Sequence, residues 1–312
     1  MTELKQVTVI GSLNIDYVTR VEALPSPGET VAAERFDLFR GGKGANQAIA
    51  AARQDCKVVL FGAVGSDEEG AAYRSELKVA GVNITHVRTV HGQTGAAFIT
   101  VDRNGENTII IAAGANQSLR AADVARHREV IEAGSVLLGQ FEVPGPALIE
   151  AALIANEAGI PVVINPSPSN PVFPWEKIRT DYAIVNQTEA TEILGFPPEP
   201  AELSLVREIM HQLRIAHLIV TRGSDETLVF RRDGDTLSIP TLPVLPIDTV
   251  GAGDAFAGCF AARLAQGHSL SDALCAANCA GALTTLGAGA QDPMPDRERV
   301  DQHLVYLSNP SH

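Results

Sequence analysis

Long apolar runs are missing from this chain. No stretch approaches the roughly 18 residues that cross a bilayer, and Met1-Thr-Glu-Leu-Lys-Gln6 leads into an apolar strand without a leader pattern. A soluble cytoplasmic protein with no membrane partner is expected. Cysteine is scarce: Cys56, Cys259, Cys275 and Cys279 lie in apolar or helical surroundings without C-x-x-C spacing. Neither a disulfide scaffold nor a zinc site is indicated, and buried free thiols are expected. The eight histidines form no H-E-x-x-H motif and no i, i+4 pair, which argues against a metallohydrolase. Basic charge is also short, with 24 Lys and Arg against 37 Asp and Glu, a net charge of −13 and a pI near 5.0. That balance excludes nucleic acid as the expected partner, because holding a phosphate backbone needs a basic face. It does not exclude a nucleotide, since a few backbone N–H groups and a divalent cation can hold a small anion.

What the chain has is apolar residues in short alternating blocks. At 312 residues and 45% hydrophobic, it can bury a substantial core. From about residue 130 the pattern repeats as strand then helix, the signature of a parallel sheet covered on both faces. Val136 to Leu138, Pro161 to Asn165, Tyr182 to Val185 and Leu218 to Thr221 are the strand-like runs. Right-handed crossovers put their carboxyl ends on one edge, where Glu142, Asn165, Asn186, Thr221 and Asp254 would gather. The first 115 residues differ. Val7 to Ile10 and Lys57 to Phe61 read as buried strands, whereas Tyr17 to Val21, Thr30 to Leu38, Gly95 to Val101 and Thr108 to Ile111 alternate or carry β-branched residues without intervening helices. The expected architecture is a three-layer α/β body over residues 1–12, 40–90 and 113–312. A small β-sheet lid is inserted in two pieces, 13–39 and 91–112, able to exclude water from a cleft.

Asp248-Thr-Val-Gly-Ala-Gly-Asp254 carries the chemistry. Gly251 and Gly253 permit a tight backbone path, and the small apolar stretch after them is helix-compatible, so free N–H groups and the positive end of a helix dipole converge on one point. Asp254 in the first turn would take a proton from a hydroxyl while the amides hold a transferring phosphoryl group. The plain alternative is a glycine-rich turn with an ordinary first-turn acid. A dinucleotide loop is disfavoured: Phe256 stands at the third glycine position, and Asp254 would repel a pyrophosphate.

A second glycine-rich element, Gly41-Gly-Lys43-Gly-Ala-Asn46-Gln, precedes a helix of small residues. It lacks the Walker A spacing and offers instead an ammonium, an amide and close backbone approach, types suited to a polyol. Asn14 and Asp16 share one side of an alternating strand. Together with Asn165-Pro-Ser-Pro168, Asn186-Gln-Thr-Glu189 and Thr221-Arg-Gly-Ser224, these segments resemble the PfkB carbohydrate kinase family, and within it the ribokinase branch, over nearly the whole chain.

The resemblance implies a ribokinase-like fold and an ATP-dependent sugar kinase, with ribose as the expected acceptor. Another sugar or a nucleoside is the alternative within the family, and a non-catalytic sugar sensor the alternative outside it. It implies Asp254 as the base and Gly251, Ala252 and Gly253 as the anion hole. Asn14, Asp16, Gly42, Lys43, Asn46 and Glu142 correspond to the sugar contacts. Asn186 and Glu189 match the element that organises Mg²⁺ and its waters; read alone, they are equally a helix capping box. Thr221, Gly223 and Ser224 match the nucleotide loop, and Asn278 the approach to adenine. Asp248, with carbonyls of Val250, Thr284, Gly287 and Gly289, matches a potassium site. Three positions depart from the pattern: Arg222 and Glu226 alter the nucleotide turn, and Pro293 removes a serine ligand of the cation, with Asp292 as its candidate replacement. The family resemblance also implies a homodimer through the lid, whose apolar face would carry Val18, Val31 or Phe36.

Overall fold

The computed structural model describes residues 4–199 and 202–308; Met1 to Glu3, part of the segment read as leaderless, lie outside them. One large mixed sheet and one small sheet make up the β structure. Across the large sheet the strands run Leu237–Ile239, Asp225–Arg231, Ile215–Arg222, Thr180–Asn186, Val162–Asn165, Val136–Gln140, Gln6–Ile10, Lys57–Gly65 and Val82–Asn83, with Val87–Val90 pairing further along Lys57–Gly65. All neighbours from Ile215–Arg222 onward are parallel, and the two strands at the other edge are antiparallel.

These segments become strands because their β-branched and aliphatic residues bury on both faces. Val7, Val9, Leu60, Leu138 and Val163 join one apolar cluster; Ile10, Phe61, Leu137 and Ile164 join the other. Helices Lys43–Ala52 and Ala252–Ala265 cover the first side and Gly145–Glu157 the second. Each fully buried aliphatic contributes roughly 1.5–3 kcal/mol, so the central strands form a rigid base for the loops above them.

Strand order reverses between Gln6–Ile10 and Val136–Gln140: the chain first builds outward to Lys57–Gly65 and later returns to the opposite side of its first strand. That reversal opens a crevice at the carboxyl ends, where open α/β sheets bind ligands. Asn165 and Asn186 end their strands here, and Gln140 is the register partner of Asn165. Asp254 reaches the same edge by another route than expected. It follows a segment without strand structure, residues 240–250, so the turn that delivers it is a loop-to-helix turn.

The small sheet runs Arg35–Gly41, Asn14–Arg20, Gly95–Val101, Asn107–Ala112. The Thr30 to Leu38 strand expected from sequence starts late, because Pro27 and Gly28 (φ +86°) turn the chain and pairing begins only where Glu34 N–H donates to Arg20 O. Asp16, Phe39, Ala97 and Ile111 are mutual register partners and share one face, while Tyr17, Leu38, Phe98 and Ile110 share the other. Val18 and Phe36 therefore point from opposite faces, and Val31 lies outside the strands.

Candidate active site

Small residues bring the site together. Gly44 packs so closely on the loop after the first strand that a Cβ would lie 2.4 Å from Gly11 C and Ser12 N. Gly258 does the same between helices Lys43–Ala52 and Ala252–Ala265, where a Cβ would meet Gln47 O at 2.4 Å and Ala50 Cβ at 2.6 Å. This helix–helix contact sets Asn46 and Gln47 beside Asp254. Asn46 Nδ2 donates to Asp254 Oδ2 and Gln47 Nε2 to Asp254 Oδ1, both at 2.9 Å. Asp254 is 7% exposed and is the third residue of its helix.

The helix begins at Gly251, left-handed at φ 80°, and no side chain caps it. A Cβ at Gly251 would lie 2.6 Å from Ala290 O, whereas one at Gly253 would meet only open space. Ala252 spends its N–H on Thr249 O at 3.3 Å, which leaves the amides of Gly251 and Gly253 for an anion. A cavity of about 510 Å³ opens on this turn, lined among others by Thr221, Gly223, Ser224, Gly253 and Asn278. Gly223, at φ +64°, and Ser224 form the tight turn between two antiparallel strands. Arg222, a departure from the family pattern, braces that turn: it donates to Glu226 O at 2.7 Å and pairs with Glu199 at 3.0 Å. Asn278 lines this cavity with its N–H groups engaged and one lone pair of Oδ1 open. Its Oδ1 accepts from Thr227 at 2.7 Å, and its Nδ2 donates to Ile239 O and Pro240 O.

On the other side of Asp254 lies a polar cleft. Gly42 (φ 88°) starts helix Lys43–Ala52, and its missing Cβ makes room for Asn14 N at 2.6 Å. Gly41 likewise leaves room for the Asp16 carboxylate. Glu142 Oε2 accepts from Ser12 Oγ at 2.5 Å, Lys43 N at 3.1 Å and Asn14 Nδ2 at 3.5 Å, so its bonds converge on one oxygen. Asn116 orients Asn14, donating to its Oδ1 at 2.7 Å and clamping both backbone groups of Leu13. Burial, then the carboxylates of Glu142 and Asp254, push Asp16 up to about 7. For Lys43 burial acts downward, but Asp254, Glu142 and Glu189 together outweigh it and the ammonium is stabilised. The cleft thus gathers Asn14, Asp16, Gly42, Lys43, Asn46 and Glu142 around Asp254.

Asn186 and Glu189 form a complete capping box on helix Gln187–Leu194: Asn186 Oδ1 accepts from Glu189 N at 2.8 Å and Glu189 Oε2 from Asn186 N at 3.0 Å. Glu189 still acts on Lys43 across the cleft. Asp248 ties two loops together, accepting from Val250 N at 3.0 Å and Gly289 N at 2.9 Å. Near it, Thr284 O accepts weakly from Gly287 N at 3.4 Å. Asp292 lines a cavity beside Arg53, which Gly289 of that loop pair also borders. Among the described residues no group of three or more His, Cys, Asp or Glu is arranged to hold a metal ion. No helix of the described residues is long and apolar enough to cross a membrane.

Sequence reasoning overlooked Gln47, Gln140, Asn116 and Gln291 as parts of the site. Gln47 was visible as the last residue of the Gly41 element, and Gln140 as a polar residue closing an apolar strand. Asn116 and Gln291 were visible within Gly114-Ala-Asn116 and Gly289-Ala-Gln291, segments that share the family pattern, but no role was assigned to them.

A buried carboxylate held between a polar cleft and an uncapped helix terminus has the parts that phosphoryl transfer to an alcohol needs. The pfkB family carbohydrate kinase model matches residues 4–297, and the chain belongs to that family. It is 35% identical over 305 residues to the ribokinase of Haemophilus influenzae, covering 97% of this chain and 99% of that one. It is 36% identical over 302 residues to a bifunctional ribokinase/ribose-5-phosphate isomerase A of Fructilactobacillus sanfranciscensis; the match covers 95% of this chain and 56% of that protein's length. Its fold matches the structure of Arabidopsis thaliana ribokinase complexed with ribose and ATP, with a TM-score of 0.88, 29% identity and coverage of 97% and 99% of the two chains.

Proposed function

We propose that this protein transfers the γ-phosphoryl group of ATP to the primary O5 hydroxyl of D-ribose, giving ribose 5-phosphate and ADP. The observation that carries the reading is the double anchoring of Asp254 at 2.9 Å by Asn46 and Gln47, at the boundary between the polar cleft and the 510 Å³ cavity. Each carboxylate oxygen keeps a lone pair beyond its anchor. A hydroxyl delivered from the cleft can therefore donate to Asp254, which removes its proton as the oxygen attacks phosphorus in line. The amides of Gly251 and Gly253 face the charge that develops on the transferred group. Asp16 and the free oxygen of Glu142 accept from vicinal sugar hydroxyls, and Asn14, Gly42, Lys43 and Asn46 complete the cleft. The small sheet closes over it as a lid and keeps water from competing for the phosphoryl group.

Mg²⁺ would supply charge neutralisation at the triphosphate. Asn186 and Glu189 would hold it through its waters, since Mg²⁺ keeps several and the capping box leaves Glu189 Oε1 free to accept from one. Thr221, Gly223 and Ser224 border the nucleotide, and Asn278, on the wall of the same cavity, approaches adenine with the open lone pair of its Oδ1. The Asp248, Val250, Thr284, Gly287 and Gly289 loops are the candidate site for a potassium ion. Each Asp248 oxygen accepts one loop N–H and keeps a lone pair, so such an ion would draw on that carboxylate together with the carbonyl oxygens. The Arabidopsis thaliana ribokinase is complexed with ribose and ATP, which supports that substrate pair here. The four free cysteines suit a reducing cytoplasm. A second copy is the partner that suits the lid, where Phe36, Leu38, Phe98 and Ile110 are 41–65% exposed on the face away from Asp16. Sedimentation as a monomer at all concentrations would contradict the dimer.

The test is turnover with ATP, Mg²⁺ and a panel of ribose, 2-deoxyribose, fructose and nucleosides, with ADP as readout. Ribose is expected to give the highest kcat/KM. A nucleoside preferred over ribose replaces the acceptor, and no ADP with any acceptor leaves a sugar-binding protein.

A further inference from the structure

The two amides that hold Asp254 are each held in turn by a glutamine. Gln140 Nε2 donates to Gln47 Oε1 at 2.6 Å, and Gln291 Nε2 donates to Asn46 Oδ1 at 2.8 Å. Both arrangements have a fixed direction. On the first arm, the Ile184 carbonyl can only accept, so Asn165 must offer it Nδ2 (2.9 Å) and turn Oδ1 toward Gln47 Nε2 (3.0 Å). Gln47 is thereby pinned at both ends, its carbonyl by Gln140 and its two N–H groups by Asn165 and Asp254. On the second arm, Tyr73 donates its hydroxyl to Gly41 O at 2.7 Å and so receives the other N–H of Gln291 at 2.6 Å.

A primary amide is nearly symmetric in shape and opposite in polarity at its two ends, so a half-turn would present a carbonyl oxygen to Asp254 at little steric cost. Two acceptors would then face one another and turn the carboxylate off its line to the incoming hydroxyl. We propose that Gln140 and Gln291 are positioning residues for the phosphoryl transfer: they lock the polarity of the Gln47 and Asn46 amides so that only N–H groups meet Asp254. This rests on the sugar-kinase reading above and assigns the second layer of that site.

Gln140 is a poor choice for stability alone. Its side chain is fully buried, and among the described residues no group donates to its Oε1. Gly11 must lack a Cβ to accommodate that oxygen, since a Cβ would lie 2.1 Å from it. An orphaned buried carbonyl costs free energy that an apolar side chain of the same length would avoid. What Gln140 supplies is a donor aimed at Gln47.

The experiment compares Gln140→Met, Gln47→Met, the double variant, Gln140→Glu and Gln291→Met with the wild-type enzyme, measuring kcat, ribose KM and Tm. Gln140→Met is expected to lower kcat roughly tenfold, the scale of a small misorientation, with ribose KM within twofold and Tm unchanged or raised. Gln47→Met lowers kcat at least as far, and adding Gln140→Met to it changes nothing, because the lock has no amide left to act on. Gln140→Glu keeps the shape but reverses the polarity at Gln47, so its kcat falls below that of Gln140→Met. Gln291→Met acts through Asn46, a sugar contact, and lowers kcat while raising ribose KM. A wild-type kcat in Gln140→Met, additive effects in the double variant, or a kcat loss that only tracks a loss of Tm overturns the lock. If the wild type turns over ribose and Gln140→Met matches its kcat, the inference alone fails. If the wild type phosphorylates no sugar, the functional reading fails first.

Discussion

Two helix N-termini face the same cleft and are finished in opposite ways. Helix Gln187–Leu194 is closed by a reciprocal capping box, in which Asn186 and Glu189 satisfy each other's backbone N–H groups. Helix Ala252–Ala265 starts at a left-handed glycine with no side-chain cap, and its first-turn carboxylate is held from outside by Asn46 and Gln47. A cap stabilises a helix by filling its N-terminal donors. Leaving those donors open forgoes that stabilisation and keeps them for a ligand anion. The first terminus has its donors filled from within, and the second keeps them open toward the cavity.

Substitutions at the two ends should diverge accordingly. Gly253→Asp puts a carboxylate into open space over the uncapped turn; ATP KM is expected to rise by about 100-fold or more through charge repulsion, with Tm within about 2 °C. A large fall in Tm with normal ATP affinity would reverse the contrast. Asp16→Asn should raise ribose KM about tenfold, since an ionised acceptor makes the stronger bond to a hydroxyl, and it should alter stability in a pH-dependent way. The native pKa of Asp16 is raised to about 7 from 3.8, so the folded protein binds its proton more tightly than the unfolded chain does. The stability this contributes is complete below pH 3.8 and is lost as pH rises through about 7. Thermal melts of Asp16→Asn should therefore exceed wild type by about 2–5 °C at pH 8 and match it near pH 4; the opposite order would remove Asp16 from the carboxylate cluster. Wild-type ribose KM should likewise climb as pH falls below 7. Asn186→Ala, at the capped end, should cost about 1 kcal/mol of stability, seen as a lower denaturation midpoint, with kcat reduced only a few-fold. A hundredfold loss of kcat would mean that Asn186 serves the reaction more than the cap.

Much of this was legible in the chain because it is local. The strand ending at Gln140 and the one ending at Asn165 are runs of apolar residues closed by a polar one, and alternation marks Gly95 to Val101 as a strand of a different sheet. Gly251 and Gly42 announce themselves because only glycine suits a positive φ in such crowded positions. The rest depends on contacts between distant segments. Asp254 was expected at a strand end, yet arrives from a loop, since short apolar stretches such as Leu242 to Leu245 look alike whether or not they pair. Gln47 sits among alanines on a helix, and nothing in its neighbours says that it reaches Asp254 rather than solvent. Asn278 was expected to approach the nucleotide base, but the partners that set its place on the cavity wall, Thr227 and two backbone carbonyls, are remote in sequence and were not legible. Val18 and Phe36 were grouped by composition, and only the strand register separates their faces.

The central claim is that the Asp254 carboxylate takes the proton from the sugar hydroxyl as phosphorus is attacked. Rapid-quench single turnover of Asp254→Asn, with ribose and ATP both saturating, isolates that step from binding and product release. A rate at least about 10²- to 10⁴-fold below wild type is expected, with the affinities for ribose and ATP held within a few-fold. A single-turnover rate equal to that of the wild type would contradict it.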